Sequence, residues 1–497
     1  MSLPPLSLDT PVERFSARHD ALDPGDRWYS DRIPLSAPGP GEQYAFQVDL
    51  DQCTGCKSCV AGCHSMNGLD PGESWRAVGL LVGEHAGQAR MQTVPSGCHH
   101  CLEPACLAGC PTNAYEKDPV TGIVVHLDDQ CFGCGYCELT CPYEVPKLNH
   151  RLGIVRKCDM CSGRLAAGEA PACVQACPTG AISITLVTKA DVAVTTRTGG
   201  LVPGAPASHV SQPTTQYIST RPLPEDARAA DHHALHLSAA HPPLAVMLAL
   251  TQLSVGAFVT SLVANRSEGA LAAAIAAIVA LAASVLHLGR PLMAFRAVLG
   301  LRHSWLSREI VAFGAYAALA AAYALGRATG GAPRVVAAVG IAAAVCGVAG
   351  VVCSALIYVV TGRVWWRARY TLVKFAVTAA STGPLLVLVL GHSAPLGTFA
   401  AAVVAVGLAD EAWFLARHRG GTGDDLARTV RLLTRRLGGA TTWRFALAGL
   451  GALVAPFADA AGFAVLALAV VLAGVLIERY QFFVASVVPR MPGGFRR

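Results

Sequence analysis

The chain has 497 residues, of which 53% are hydrophobic and only 14% charged, too apolar for an ordinary soluble enzyme. Its formal net charge of +6 comes almost wholly from arginines placed between apolar runs rather than in a patch interleaved with aromatics, which excludes nucleic acid as a partner. Met1 to Thr10 has no basic stretch followed by an apolar core, so no secretory or twin-arginine signal is expected, and eighteen cysteines then point to metal clusters rather than disulfides.

In chain order, residues 1–44 are rich in Pro, Ser and Asp without periodicity and are expected to form an extended arm. Residues 45–187 alternate short β-type runs, Ala45 to Leu50, Gly122 to Leu127 and Ala181 to Val187, with cysteine motifs, the rhythm of an α+β ferredoxin-like domain of two pseudo-repeats. Residues 188–242, rich in Thr, Pro, Gly and Ser, suit an extended linker. An all-α polytopic membrane domain of about eight transmembrane helices follows over 243–480, with candidates near 243–263, 269–288, 309–326, 335–360, 372–390, 396–416, 445–460 and 462–478, and a tail at 481–497.

Sidedness follows from charge. With an even number of spans, the loops on the side of the N-terminus hold Arg290, Arg296, Arg302, Arg308, Arg363, Arg367, Arg369, Lys374, Arg417, Arg419, Arg428, Arg431, Arg435, Arg436 and Arg444, and the tail holds Arg479, Arg490, Arg496 and Arg497. The other side keeps Arg266, Arg327 and Arg334, so the cluster domain is expected to face the cytoplasm from the bacterial inner membrane.

Four motifs take sixteen of the eighteen cysteines. They are Cys53, Cys56, Cys59 and Cys63; Cys98, Cys101, Cys106 and Cys110; Cys131, Cys134, Cys137 and Cys141; and Cys158, Cys161, Cys173 and Cys177, the last with eleven residues inserted in its middle. A tight C-x2-C-x2-C loop wraps three thiolates round one 4Fe-4S cube, and the fourth cysteine leaves on a helix toward the neighbouring cube. Zinc also takes C-x2-C pairs, but it has no use for a third cysteine three residues on. Four such clusters form a one-electron path, and no catalytic dyad, phosphate loop or dinucleotide fingerprint accompanies them, so substrate chemistry belongs to another chain.

The runs "CHHCLEPACLAGCP", "DDQCFGCGYCELTCPYEVPK" and "GIVRKCDMCSGRLAAGEAPACVQACPTGAI" resemble the four-cluster subunit of the dimethyl sulfoxide reductase family of molybdopterin oxidoreductase complexes. "LHLGRPLMAFRAVLGLRHSWLSREI" and, more weakly, "YVVTGRVWWR" are similar to that family's membrane anchor, so two subunits look fused over residues 45–187 and 243–480. The resemblance implies four 4Fe-4S clusters, with Cys53, Cys56, Cys59 and Cys177 on one, and Cys158, Cys161, Cys173 and Cys63 on its mate. Cys98, Cys101, Cys106 and Cys141 would hold the third, and Cys131, Cys134, Cys137 and Cys110 the fourth. It also implies a large molybdopterin-bearing catalytic partner, exchange with the quinone pool through menaquinone without haem, and a quinone site at His287 and Glu309. From the residues alone, His287 ends the second apolar run and Glu309 begins the third, on the side of the cluster domain, where a quinone's protons and electrons would be exchanged together; the bland alternative is that Glu309 neutralises Arg308.

Fusion of the clusters to helices with arginine-rich loops on their own side makes a cytoplasmic complex, similar to quinone-linked sulfite dehydrogenases of the same superfamily, the expectation over a periplasmic dimethyl sulfoxide reductase. The rival from another class, a redox-driven ion pump or transporter, calls for several ionisable groups at mid-membrane depth, where the helix centres are nearly bare. Haem is not expected because His241, His287 and His392 fall near helix ends. Weaker signals are ambiguous. His232, His233, His236 and His241 suit a solvated linker better than a metal site, and Cys346 and Cys353 suit helix packing. Asp410 and Glu411 suit either a proton relay or solvent with Arg417, and Arg156 and Lys157 either temper cluster charge or face solvent.

Overall fold

A computed structural model describes residues 11–23, 26–85, 87–224, 226–391, 395–421, 425–458 and 461–493. Met1 to Thr10, His392, Arg496 and Arg497 lie outside them.

The α+β domain is organised by strand β1, Glu42–Asp49, which lies between β8, Ile182–Thr188, and β9, Gln216–Ile218. It pairs antiparallel with the first, Val48 opposite Ile182, and parallel with the second, Val48 opposite Tyr217. Alternation along β1 buries Phe46 and Val48 on one face against the cysteine loops, each contributing about 1.5–3 kcal/mol, while Ala45 is buried on the other face against Val187 and Val192. A hairpin that the cysteine rhythm does not announce, β2 (Ala77–His85) with β3 (Gln88–Ser96), forms a second sheet, joined at its edge by β10, Arg228–Ala229. Two short pairs, β4 (Tyr115–Lys117) with β5 (Val124–His126) and β6 (Lys147–Asn149) with β7 (Ile154–Arg156), support the middle motifs.

Two segments expected to be extended are more structured. Within 1–44, Pro11–Asp20 is helical, and Tyr29 is fully buried while Arg27 pairs with Glu169 at 3.1 Å, so this part of the arm is packed onto its own domain. The 188–242 stretch contains the helix Lys189–Thr198 and supplies β9 and β10, because its polar backbone finds open strand edges to pair with.

Among the described residues, seven helices are long and apolar enough to cross a membrane: Pro242–Val263, Ser267–Val285, Trp305–Ala328, Pro333–Val359, Ala368–Val389, Pro395–His418 and the last, Ala461–Val484. Gly438–Val454, at 17 residues, is extended by a 3-10 turn, Ala455–Phe457, and reaches the lower limit of a spanning length. The segments on both sides of this bundle meet the cluster domain. The linker enters the first membrane helix directly from it, and the tail returns to it, where Arg490 pairs with Asp231 at 2.5 Å and Gly493 O accepts from Leu80 N at 3.1 Å. With Gly438–Val454 counted as the seventh of eight helices among the described residues, both ends of the bundle lie on the side of the cluster domain.

Two boundaries move with consequence. The seventh helix begins at Gly438 rather than 445, and the eighth runs to Val484 rather than 478. Arg479 is accordingly no tail residue but a fully buried one, and Lys374 and Arg444 belong to helices rather than loops.

Candidate functional site

Each cysteine motif uses the same local device. The residue before the second cysteine has positive φ in all four: Gly55 at 73°, His100 at 40°, Gly133 at 72° and Met160 at 60°. A left-handed residue there turns backbone N–H groups toward the concave side of the loop, where anionic sulfur is received. Gly133 N lies 3.4 Å from Cys131 Sγ and Met160 N 3.3 Å from Cys158 Sγ. His100 and Met160 hold this conformation at a cost glycine avoids.

The thiols then fall into four quartets assembled from distant motifs. Cys59 is acted on by the charges of Cys177, Cys53 and Cys56, and Cys63 by those of Cys173 and Cys161, with Cys158 beside Cys173 and Cys63. Cys106 meets Cys141, Cys98 and Cys101, while Cys134 meets Cys110 and Cys131, and Cys137 meets Cys134 and Cys110. All sixteen are free of disulfides, so the donor sets suit 4Fe-4S clusters.

The quartets also form a series. Cys173 of the second is influenced by Cys59 of the first, Cys158 of the second by Cys98 of the third, and Tyr115 senses Cys106 of the third with Cys137 and Cys110 of the fourth. Cys56, in the first quartet, is exposed at one end.

Buried cations separate the links. Arg76, 3% exposed, places Nη1 3.4 Å from Cys173 Sγ and lies over Phe46. Burial opposes its charge, but thiolates at Cys173, Cys59, Cys158 and Cys63 outweigh that and keep it protonated. Lys157, also buried, donates to the carbonyls of Cys158 and Val124 and sits 3.9 Å from Cys98 Sγ. Of the two cations singled out in the sequence, Lys157 thus stands among the thiols, whereas Arg156 pairs with Glu73 at 3.0 Å and covers Trp75. Arg76 was missed because no spacing ties it to the motifs.

The fourth quartet meets the membrane domain through the loop after the second membrane helix. Gly289 N donates to Gly133 O at 3.1 Å, Arg290 N to Phe132 O at 2.9 Å and Gly300 N to Pro111 O at 2.8 Å. A Cβ on Gly289 would fall 2.2 Å from Gly153 O, so only glycine permits this backbone contact. Arg290 and Arg296 donate to the carbonyls of Asp128 and Asp129, His303 to Cys110 O at 3.0 Å, and Ser304 to Gly109 O at 2.7 Å. Tyr136 completes the junction by donating to Ile357 O at 3.0 Å.

Behind this junction lies an apolar cavity of about 290 Å³, lined by Cys134 and Tyr136 of the cluster domain and by His287, Glu309 and Tyr358 of the membrane domain. The two membrane residues singled out from sequence therefore share one cavity with a cysteine of the fourth quartet. Burial lowers the His287 imidazole to about 4, with the Ser284 backbone acting in the opposite sense, so the ring is neutral near pH 7. Glu309 is 4% exposed and lies buried beside the Ser354 hydroxyl, with no ion pair among the described residues. Arg308 does not neutralise Glu309; its guanidinium donates to the carbonyls of Leu301 and Arg302 and covers Trp305.

A second polar group lies among the helices of the bundle, and of its members only Asp410 and Glu411 stand out in the sequence as candidate relay groups. Arg479 pairs with Glu478 and donates to Gln252 at 2.7 Å and Thr378 at 2.8 Å, while Lys374 approaches Glu478 at 2.9 Å. Glu411 pairs with Arg444 at 3.5 Å and Asp410 with Arg369 at 3.4 Å, and neither faces Arg417, which covers Trp413. Lys374, Thr378, Asp410, Glu411, Arg444 and Glu478 border a cavity of about 40 Å³. Among the linker histidines, His232 and His233 contact edge to face and His241 packs on Phe483, while Cys346 joins the apolar packing of the fourth helix.

Comparison with known proteins bears on both halves. Residues 89–186 match the family described as a 4Fe-4S dicluster domain, and residues 239–409 match the DMSO reductase anchor subunit (DmsC). The first cysteine motif precedes the matched stretch. Over 153 residues the sequence is 35% identical to the B subunit of the anaerobic dimethyl sulfoxide reductase of Haemophilus influenzae, covering 28% of this protein and 73% of that one. The Escherichia coli K12 subunit of the same name is 38% identical over 148 residues, 28% of this protein and 72% of its own length. The formate dehydrogenase iron-sulfur subunit of Haemophilus influenzae is 36% identical over 157 residues, 28% of this protein and 50% of its own length.

Proposed function

Because this protein belongs to the dimethyl sulfoxide reductase family, as a fused 4Fe-4S and membrane-anchor electron-transfer subunit, we propose that it carries electrons between a molybdopterin-bearing catalytic partner and the quinone pool. The observation that carries this reading is the apolar cavity shared by Cys134, His287 and Glu309. Bound in the four quartets, 4Fe-4S clusters would supply a one-electron relay. The residues do the rest: the left-handed loops hold the thiolates, Arg76 and Lys157 offset their charge, and exposed Cys56 marks the end open to a partner.

At the cavity, oxidation of a quinol breaks two O–H bonds and releases two protons with two electrons, and reduction of a quinone reverses this. The neutral His287 ring and the buried carboxyl of Glu309 are placed to take or give those protons, while the oxygen-bearing ring lies beside the Cys134 quartet. Apolar walls favour a menaquinone-type ring and exclude bulk water.

Arginine placement supports a cytoplasmic cluster domain. Counting only residues outside the membrane helices, the side of the cluster domain holds Arg290, Arg296, Arg302, Arg363, Arg367, Arg419, Arg435 and Arg436, against Arg266 opposite. That orientation suits a cytoplasmic, sulfite-dehydrogenase-like complex, and thiol labelling of a cysteine placed at exposed Met66 should succeed in inverted vesicles and fail in intact cells.

His287→Ala and Glu309→Gln are each expected to lower quinol-dependent turnover roughly a hundredfold, the usual share of a positioned acid or base, with cluster spectra unchanged. Undiminished turnover in both variants would remove the site.

A further inference from the structure

The third membrane helix contains a glycine with no packing reason to be there. Gly314 is the tenth residue of Trp305–Ala328, a position where glycine weakens a helix relative to alanine. Several glycines of the bundle are explained by crowding: a Cβ on Gly340 would lie 2.7 Å from Tyr323, and one on Gly350 2.6 Å from Phe313. A Cβ on Gly314 would meet nothing within 4 Å. Gly438, Gly439, Gly449 and Gly462 share that open space but do not line the cavity of His287 and Glu309, whereas Gly314 does.

The exposure of the cavity wall locates its mouth. Cys134, Tyr136, Glu309, Phe313 and Tyr358 are buried or half-buried, and only Val285 and Gly314 among the lining residues are exposed. They stand on the second and third membrane helices, so the cavity opens sideways between them, toward lipid rather than toward water.

Resting on the quinone reading above, we propose that this gap is the lateral portal of the site and that its occupant is the isoprenoid tail of a membrane quinone, passing over Gly314 while the ring lies against His287 and Glu309. The tail is apolar and continuous with a ring that the cavity encloses, and the absent side chain at Gly314 leaves a smooth groove where a larger residue would stand in its path.

The test uses the intact complex in proteoliposomes, assayed with a long-tailed menaquinol and with a short-tailed naphthoquinol. Gly314→Trp is expected to lower turnover of the long-tailed quinol roughly tenfold, chiefly through KM, and to leave the short-tailed one nearly unchanged, since only binding shared by ground and transition states is lost. Val285→Trp, on the opposite edge, should act likewise and guards against a folding defect at Gly314. Equal loss with both quinols, or no loss with either in both tryptophan variants, would overturn the portal. If His287→Ala abolishes both activities while the tryptophan variants do nothing, the portal alone fails; if His287→Ala and Glu309→Gln are both silent, the quinone site fails with it.

Discussion

Glu478→Leu is expected to destabilise the membrane domain by about 3–5 kcal/mol, the cost of leaving a buried cation without its partner. Arg479 is 0% exposed and Glu478 only 4%, so neither can recover the lost interaction from water. Gln252 and Thr378 would still accept from the guanidinium, but they carry no compensating charge. Lys374, less deeply placed, can extend its ammonium toward the membrane surface once Glu478 is gone. The double variant Glu478→Leu/Arg479→Met should therefore regain much of the stability, because apolar side chains of similar volume replace a buried ion pair at little cost. Unfolding of the detergent-solubilised protein, followed by loss of helical signal, measures both. A double variant no more stable than Glu478→Leu would show that the pair is not the reason for the loss.

Cys134→Ala is expected to abolish quinol-dependent turnover while leaving electron entry from a soluble viologen donor at the catalytic partner intact. Cys134 is the thiol of the fourth quartet that borders the cavity, and its neighbours Cys110 and Cys131 reach it from two different motifs. Removing it should cost about one to four of the roughly sixteen iron atoms that four clusters hold. The same change at Cys56, in the first quartet and exposed, should spare reduction of the inner clusters by quinol and interrupt delivery to the partner instead. Iron analysis with parallel quinol and viologen assays distinguishes the two, and quinol turnover persisting in Cys134→Ala would break the proposed order of the path.

Both experiments depend on features of different legibility. The cysteine spacings and the lengths of the apolar runs are local properties, so the amino-acid sequence alone determined the cluster chemistry, the membrane domain and the sixteen candidate ligands. It also placed His287 and Glu309 at neighbouring helix ends, because a polar residue at the edge of an apolar run is visible without a fold.

Only the tertiary structure decided what lies across from what. Arg76 stands among thiols from two motifs, Arg479 is enclosed by the first, fifth and eighth membrane helices, and Gly314 opens onto a cavity whose other wall comes from the cluster domain. The linker and the tail find strand partners more than a hundred residues away. A charge in a helix has the same local sequence signature whether its side chain meets lipid, water or a counter-ion. Burial and pairing are set by packing between distant segments, and those contacts exist only once the protein has folded.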